Sequence, residues 1–172
     1  MGKKLFDPTP EQKKAGLEHV LFEMERLVGS AGTLGHISDQ KSVEAQVLFE
    51  ILLLHGRVLL EFFERGTRSN HGKNADILSS DFGFPTKDVH LERSTRNRLN
   101  KELAHLTYER TGNEWQVGPL LVPLMKRCLE FAEIVVSGPL RALIDGDQKQ
   151  LERWSQVRDV LRGSTQVEAP SP

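Results

Sequence analysis

Apolar residues recur at helical spacing through most of the chain. Leu17, Val20, Leu21, Met24, Leu27 and Val28 follow i, i+3, i+4, i+7 spacing, which predicts an amphipathic helix. Its start is signalled by Thr9-Pro10-Glu11-Gln12, where Thr9 caps, Pro10 suits the first helical position and Gln12 completes a capping box. Gly29 reads as its end, with 29–38 as a Gly/Ser loop. A second helix is expected over 39–65, with Gly66 as its stop. Leu48, Ile51, Leu52, His55, Leu59, Phe62 and Phe63 form its inward stripe. Leu53, Leu54, Val58 and Leu60 widen that stripe, so this helix reads as central and covered on more than one side. Gly56 inside it implies a close helix crossing.

The connection 66–88 is rich in Gly, Ser and Asn. It holds one short turn at 75–78, and Phe82 and Phe84 are expected to pin it to the bundle. A third helix spans 89–109 with Leu99, Leu103 and Leu106 inward. Pro119 and Pro123 restrict where the fourth begins, because proline is tolerated only in the first turn. Leu121, Leu124, Met125, Cys128, Ala132, Val135 and Val136 are its stripe, and Ser137-Gly138-Pro139 ends it. Asp147 and Gln150 make a capping box for a fifth helix that turns Leu151, Trp154, Val157 and Leu161 inward. No strand alternation appears. The reading is a single-domain, all-α, up-and-down bundle of four main helices plus a C-terminal fifth, over 1–162, with 163–172 as a disordered tail.

Composition adds exclusions. A chain of 172 residues with 38% hydrophobic content can bury a core without metal or disulfide. The net charge of -1 gives no global reason for nucleic-acid binding. The one cysteine, Cys128, rules out an internal disulfide and reads as a buried, inert thiol. MGKKLFDPTPEQ lacks a signal peptide's apolar stretch, and Phe6 stands where a myristoylation site has Ser or Thr. The run Val47 to Leu54, interrupted by Glu50, is too short to span a bilayer. The expectation is a soluble, cytoplasmic protein with no membrane contact.

Candidate chemistry concentrates in RNRLNKELAHLTYER, 96–110. Arg98, Glu102, His105 and Glu109 fall within roughly 60° of one another at about 100° per residue. A cation, two carboxylates and an imidazole in one row make either a reactive site or a salt-bridged face. Arg98 and His105 enclose six residues, and this spacing resembles the Arg-x(4–6)-His motif of the HEPN superfamily, small helical domains that often act as metal-independent ribonucleases. Leu99 stands where that family typically has a polar residue, and Arg65 with His71 meets the same spacing. The resemblance implies a dimer with two motifs facing each other. His105 would then move protons as an RNA 2′-hydroxyl attacks its phosphate, and Arg98 would hold that phosphate. Glu102 would orient the imidazole, with Asn97 or Asn100 in support.

The competing reading joins the stripe to Arg57, whose partners would be Glu61, Glu64, Glu102 or Glu109, in an internal network. His55, on an apolar stripe, reads as a hydrogen-bonded core histidine. Glu102-x-x-His105 has the spacing of di-iron bundles, but the chain holds no second copy. A mononuclear site using His105 with His19 or His55 is the third reading; no metal or other cofactor is expected. Lys149, Arg153, Arg158 and Arg162 read as a solvated face, and Trp115 and Trp154 as anchors. His55-Gly56-Arg57, Ser80-Asp81-Phe82 and KELAHLTYER are together similar to a group of uncharacterised bacterial helical proteins, which implies a fold and no activity. The leading expectation is an interaction or structural module that self-associates as a dimer; the alternative is a HEPN-like ribonuclease or toxin-type domain acting on RNA at a dimer interface.

Overall fold

The computed structural model describes residues 6–67, 76–102 and 118–166, without the side chains of 98, 100–102 and 166. Helix α1 (Pro10–His36) starts as its capping box dictates: the Thr9 hydroxyl accepts from the Gln12 N–H, and the Gln12 side chain accepts from the Thr9 N–H at 2.9 Å. It does not stop at Gly29. The expected 29–38 loop is mostly helix, because Ala31 and Leu34 pack against the core and hold the chain helical. Ser30 and Thr33 donate back to the carbonyls of Arg26 and Gly29. The Gln40 amide then closes the end on the carbonyls of Leu34 and Ile37.

Helix α2 (Val43–Glu64) begins later than expected, at an Ser42 cap that accepts from the Ala45 N–H. Leu52, Leu53, Leu59, Leu60, Phe62 and Phe63 are buried. Leu54 and Val58, expected to widen the inward stripe, face solvent, so α2 is covered on one broad side only. Its Gly56 lies where three helices meet. A Cβ there would stand 3.6 Å from Leu124 and 3.7 Å from Leu27.

The helical turn expected at 75–78 forms instead as a 3-10 turn at Ser79–Phe82, with the Leu78 N–H bonded to Asp81. Phe82 and Phe84 pin this connection to the bundle as expected. Residues 84–92 have no regular secondary structure. Val89 and Leu91 bury their side chains, and His90 between them has φ 56, a conformation no helix can pass through. Helix α3 (Arg93–Glu102) therefore starts four residues later than expected, and it buries Leu99. Leu103 and Leu106 lie outside the described residues.

Helix α4 (Gly118–Val136) starts before both prolines and carries Pro123 inside it, against the expectation that proline would delay its start. The bond that Pro123 cannot donate would reach Pro119, which is exposed, so water can take that carbonyl. A 3-10 turn at Pro139–Ile144 buries Leu140 and Ile144. Helix α5 (Gln148–Gln166) runs past Arg162 into the stretch expected as tail, with Trp154, Val157 and Leu161 buried. Only half of its expected capping box forms, since Gln150 sends its side chain to Glu18.

Among the described residues there is no strand, and the protein is an all-α bundle in which α1 packs on α2 and α5, and α4 on α5 and α2. Phe131 of α4 sits at the centre, with ring contacts to Phe62, Phe63, Phe82, Phe84 and Trp154 between 5.2 and 6.1 Å. No helix among the described residues is long and apolar enough to cross a membrane.

Candidate functional site

The polar stripe of the third helix is only partly in view. Arg98, Asn100 and Glu102 lie on α3, but their side chains, and all of His105 and Glu109, are outside the described residues. Asn97 is exposed on α3. What the structure describes is the surface that receives this helix, a shallow groove of about 340 Å³ lined by Arg57, Glu61, Glu64, Arg65, Arg96 and Leu99.

That groove is an ion-pair network. Arg96 of α3 grips Glu64 at the end of α2 through both terminal nitrogens, one of them at 2.8 Å, and reaches Asp88 at 2.8 Å. Glu64 also accepts from the Val89 N–H, so one carboxylate ties the segment 84–92 and α3 to α2. The Glu64 carboxylate holds Arg96 still more firmly in its charged form. Asp88 is held below the usual carboxylate range, first by the His90 N–H and also by Arg96. Arg57 pairs at 3.3 Å with Glu61, one of the partners expected for it, one turn along α2. Arg65 pairs with Asp76 at 3.1 Å. The expected joining of Arg57 to Glu102 or Glu109 lies outside the described residues; the network in view is centred on Arg96, a residue the stripe did not include.

On the other side of α2, a cleft of about 240 Å³ opens between α1, α2 and residues 76–78. Val20, Val58, Phe62 and Ile77 supply its apolar wall, and His19, Glu23, Glu61 and Arg65 its polar rim. His55 backs this cleft through a 2.6 Å hydrogen bond between its Nδ1 and Glu23, and its ring stands edge-on to Phe22 at 5.9 Å. It is the hydrogen-bonded histidine the sequence implied. The bond to Glu23 orients the ring and selects the tautomer with the proton on Nδ1.

The α1–α2 face beside this cleft is apolar. Phe22 is 43% exposed, Val43 76%, Val47 48%, Leu54 54% and Val58 42%. On α2, Val43, Val47, Leu54 and Val58 fall within about 60° of rotation, an arc that Glu61 shares at its C-terminal end and that Glu50 and Arg57 flank.

The remaining candidates resolve as structure. Cys128 is fully buried, and desolvation pushes its thiol far above the usual range, which makes it inert at neutral pH. Trp154 is an interior anchor; Trp115 lies outside the described residues. Two of the four basic residues expected on a solvated face of α5 bridge helices instead. Arg153 clamps α5 to α1, bonding Glu25 at 2.8 and 2.7 Å and also Glu18, while Arg162 pairs with Glu133 of α4. Sequence reasoning also missed Arg127, which is buried on α4, lies over the Phe84 ring at 3.9 Å and donates to the Pro85 carbonyl. Its position three residues after Leu124 on the inward stripe was the available signal. Among the described residues no group of three His, Cys, Asp or Glu converges as metal ligands. Set against known proteins, the chain is matched by no family model, no curated protein and no solved structure.

Proposed function

We propose that this protein is a self-associating interaction module whose α1–α2 face meets a second copy of the chain. The observation that carries this reading is the exposed apolar stripe of Val43, Val47, Leu54 and Val58 with Phe22 beside it. Apolar residues gathered on one face, rimmed by charge, mark association surfaces in a way that scattered ones do not. Covering such a face gains roughly 25 cal/mol per Å² of apolar surface removed from water. The buried free thiol of Cys128 suits the reducing cytosol in which such a module would work. Sedimentation of the wild type and of Leu54→Glu tests the reading. The wild type is expected as a dimer and the variant as a monomer with unchanged helical circular dichroism. A wild type that stays monomeric at concentrations of about 100 μM, where a Kd of about 1 μM would leave it mostly dimeric, overturns the proposal.

A second reading is RNA cleavage by Arg98 and His105. Arg96 is committed to Glu64 and Asp88, so of the arginines at 96 and 98 it is not the one this reading would place on a phosphate. Labelled RNA in excess chelator, incubated with wild type and with His105→Ala, tests it: cleavage by the wild type alone is required.

A further inference from the structure

We propose that in the self-associated form Val43 and Val47 of each copy fill the apolar cleft between α1, α2 and residues 76–78 of the other. The inference rests on the self-association reading and specifies its register. Three charged groups on the cleft's rim already hold partners: Glu23 on His55, Arg65 on Asp76 and Glu61 on Arg57. With those charges paired, the wall of Val20, Val58, Phe62 and Ile77 dominates, and such a cleft suits an aliphatic side chain.

The second copy offers such side chains at the matching height. Val43 is the first residue of α2 and, at 76%, the most exposed of the apolar residues on this face. A twofold axis through Leu54 sets each α2 residue opposite the one equally far along in the other direction. Val47 then stands level with Glu61 of the second copy, and Val43 level with its Arg65, both on the rim of the cleft. Side chains stay in reach over that length when the helices cross about 20° from antiparallel.

Charge selects this arrangement over its alternative. Glu50 and Arg57 flank Leu54 on the same edge of the stripe, and an antiparallel twofold keeps each edge against its own copy. Glu50 therefore meets Arg57 of the second copy twice over. A parallel pair carries each edge to the opposite side of the interface, so Glu50 and Arg57 no longer meet and the pairing is lost.

Disulfide trapping reads the register. Cys128 is buried and contributes no background thiol. Val43→Cys and Arg65→Cys are prepared separately and mixed under mild oxidation, and Leu54→Cys is oxidised alone. A disulfide needs Cα atoms within about 7 Å, so the bond reports proximity. Covalent dimers are expected from Leu54→Cys and from the mixture, but not from either of the mixed variants alone. Dimers from Leu54→Cys without any from the mixture overturn the filled cleft and leave the self-association standing. No dimer from any variant, with a monomeric wild type in sedimentation, overturns both. No dimer from any variant, with a dimeric wild type, overturns the cleft and places the contact on another face. As a second measure, Val43→Asp and Val47→Asp, both at exposed positions, are expected to raise the dimer Kd by about 10-fold or more. An unchanged Kd in both overturns the inference.

Discussion

Gly56 and Gly138 show how differently one missing Cβ can be used. At Gly56 an added methyl group would meet Leu124 and Leu27 at 3.6 and 3.7 Å, ordinary contact distances. Gly56→Ala is therefore expected to stabilise the protein by about 0.5–1 kcal/mol in urea unfolding, by recovering helix propensity without strain. At Gly138 the same methyl group would lie 2.7 Å from the Ile134 Cα and 2.8 Å from its carbonyl oxygen. Those are backbone atoms that cannot step aside, so Gly138→Ala is expected to cost on the order of 1–3 kcal/mol in the same assay. Gly56 was expected to mark a close crossing, but a Cβ fits there at ordinary contact distances, so packing does not require the glycine. Cys128 and Trp154 were legible because each falls on an apolar stripe, as His55 was, with its hydrogen bond. Phe131 was not read as core, although it lies seven residues after Leu124 and three after Cys128. Its weight comes from rings on α2, α5 and the connection between α2 and α3, which meet only in the fold.

Elements are joined here by arginines that cross between them. Arg96 binds α3 to α2 through Glu64, and Arg153 binds α5 to α1 through Glu18 and Glu25. Glu64 is the more enclosed carboxylate, so removing its partner leaves a charge that solvent only partly recovers. Arg96→Ala is expected to cost about 1–2 kcal/mol and to speed hydrogen exchange at the amides of 93–102 before those of α1. Unchanged exchange in α3 would show that Leu99 alone anchors it. The pair also carries an acid response. Asp88 is held below the usual carboxylate range by the His90 N–H and Arg96, so its contribution is complete above the ordinary carboxylate pKa. That contribution is lost as pH falls through the lowered folded-state value. Asp88→Asn should thus lose stability at about pH 7 and differ little from wild type at about pH 2. None of these partners could be paired from the chain alone. Arg96 and Glu64 are 32 positions apart, and Arg153 and Glu25 are 128 apart. A charge's partner depends on which helix faces pack together, and local periodicity carries no information on that.

For the molecule as a whole, the expected consequence of self-association is a Tm that rises with protein concentration, since folding and pairing are then linked. Leu54→Glu should give a Tm independent of concentration; a flat wild-type Tm would argue against the dimer. The sequence by itself determined the all-α class, the five α-helices among the described residues and most of the residues that fill their core, because helical period and capping chemistry are local properties. Three boundaries were decided by tertiary packing against local signals. Leu34 kept α1 helical past Gly29, His90 and the burial of Val89 and Leu91 delayed α3, and α4 took Pro123 into its body. The tertiary structure also decided which apolar residues stay outside. Periodicity marks Leu54 and Val58 as apolar positions of a helix, but whether a neighbour covers them depends on how many helices surround α2. Only the packed bundle sets that number, and by leaving this face of α2 open it turned part of an expected core into the candidate contact surface.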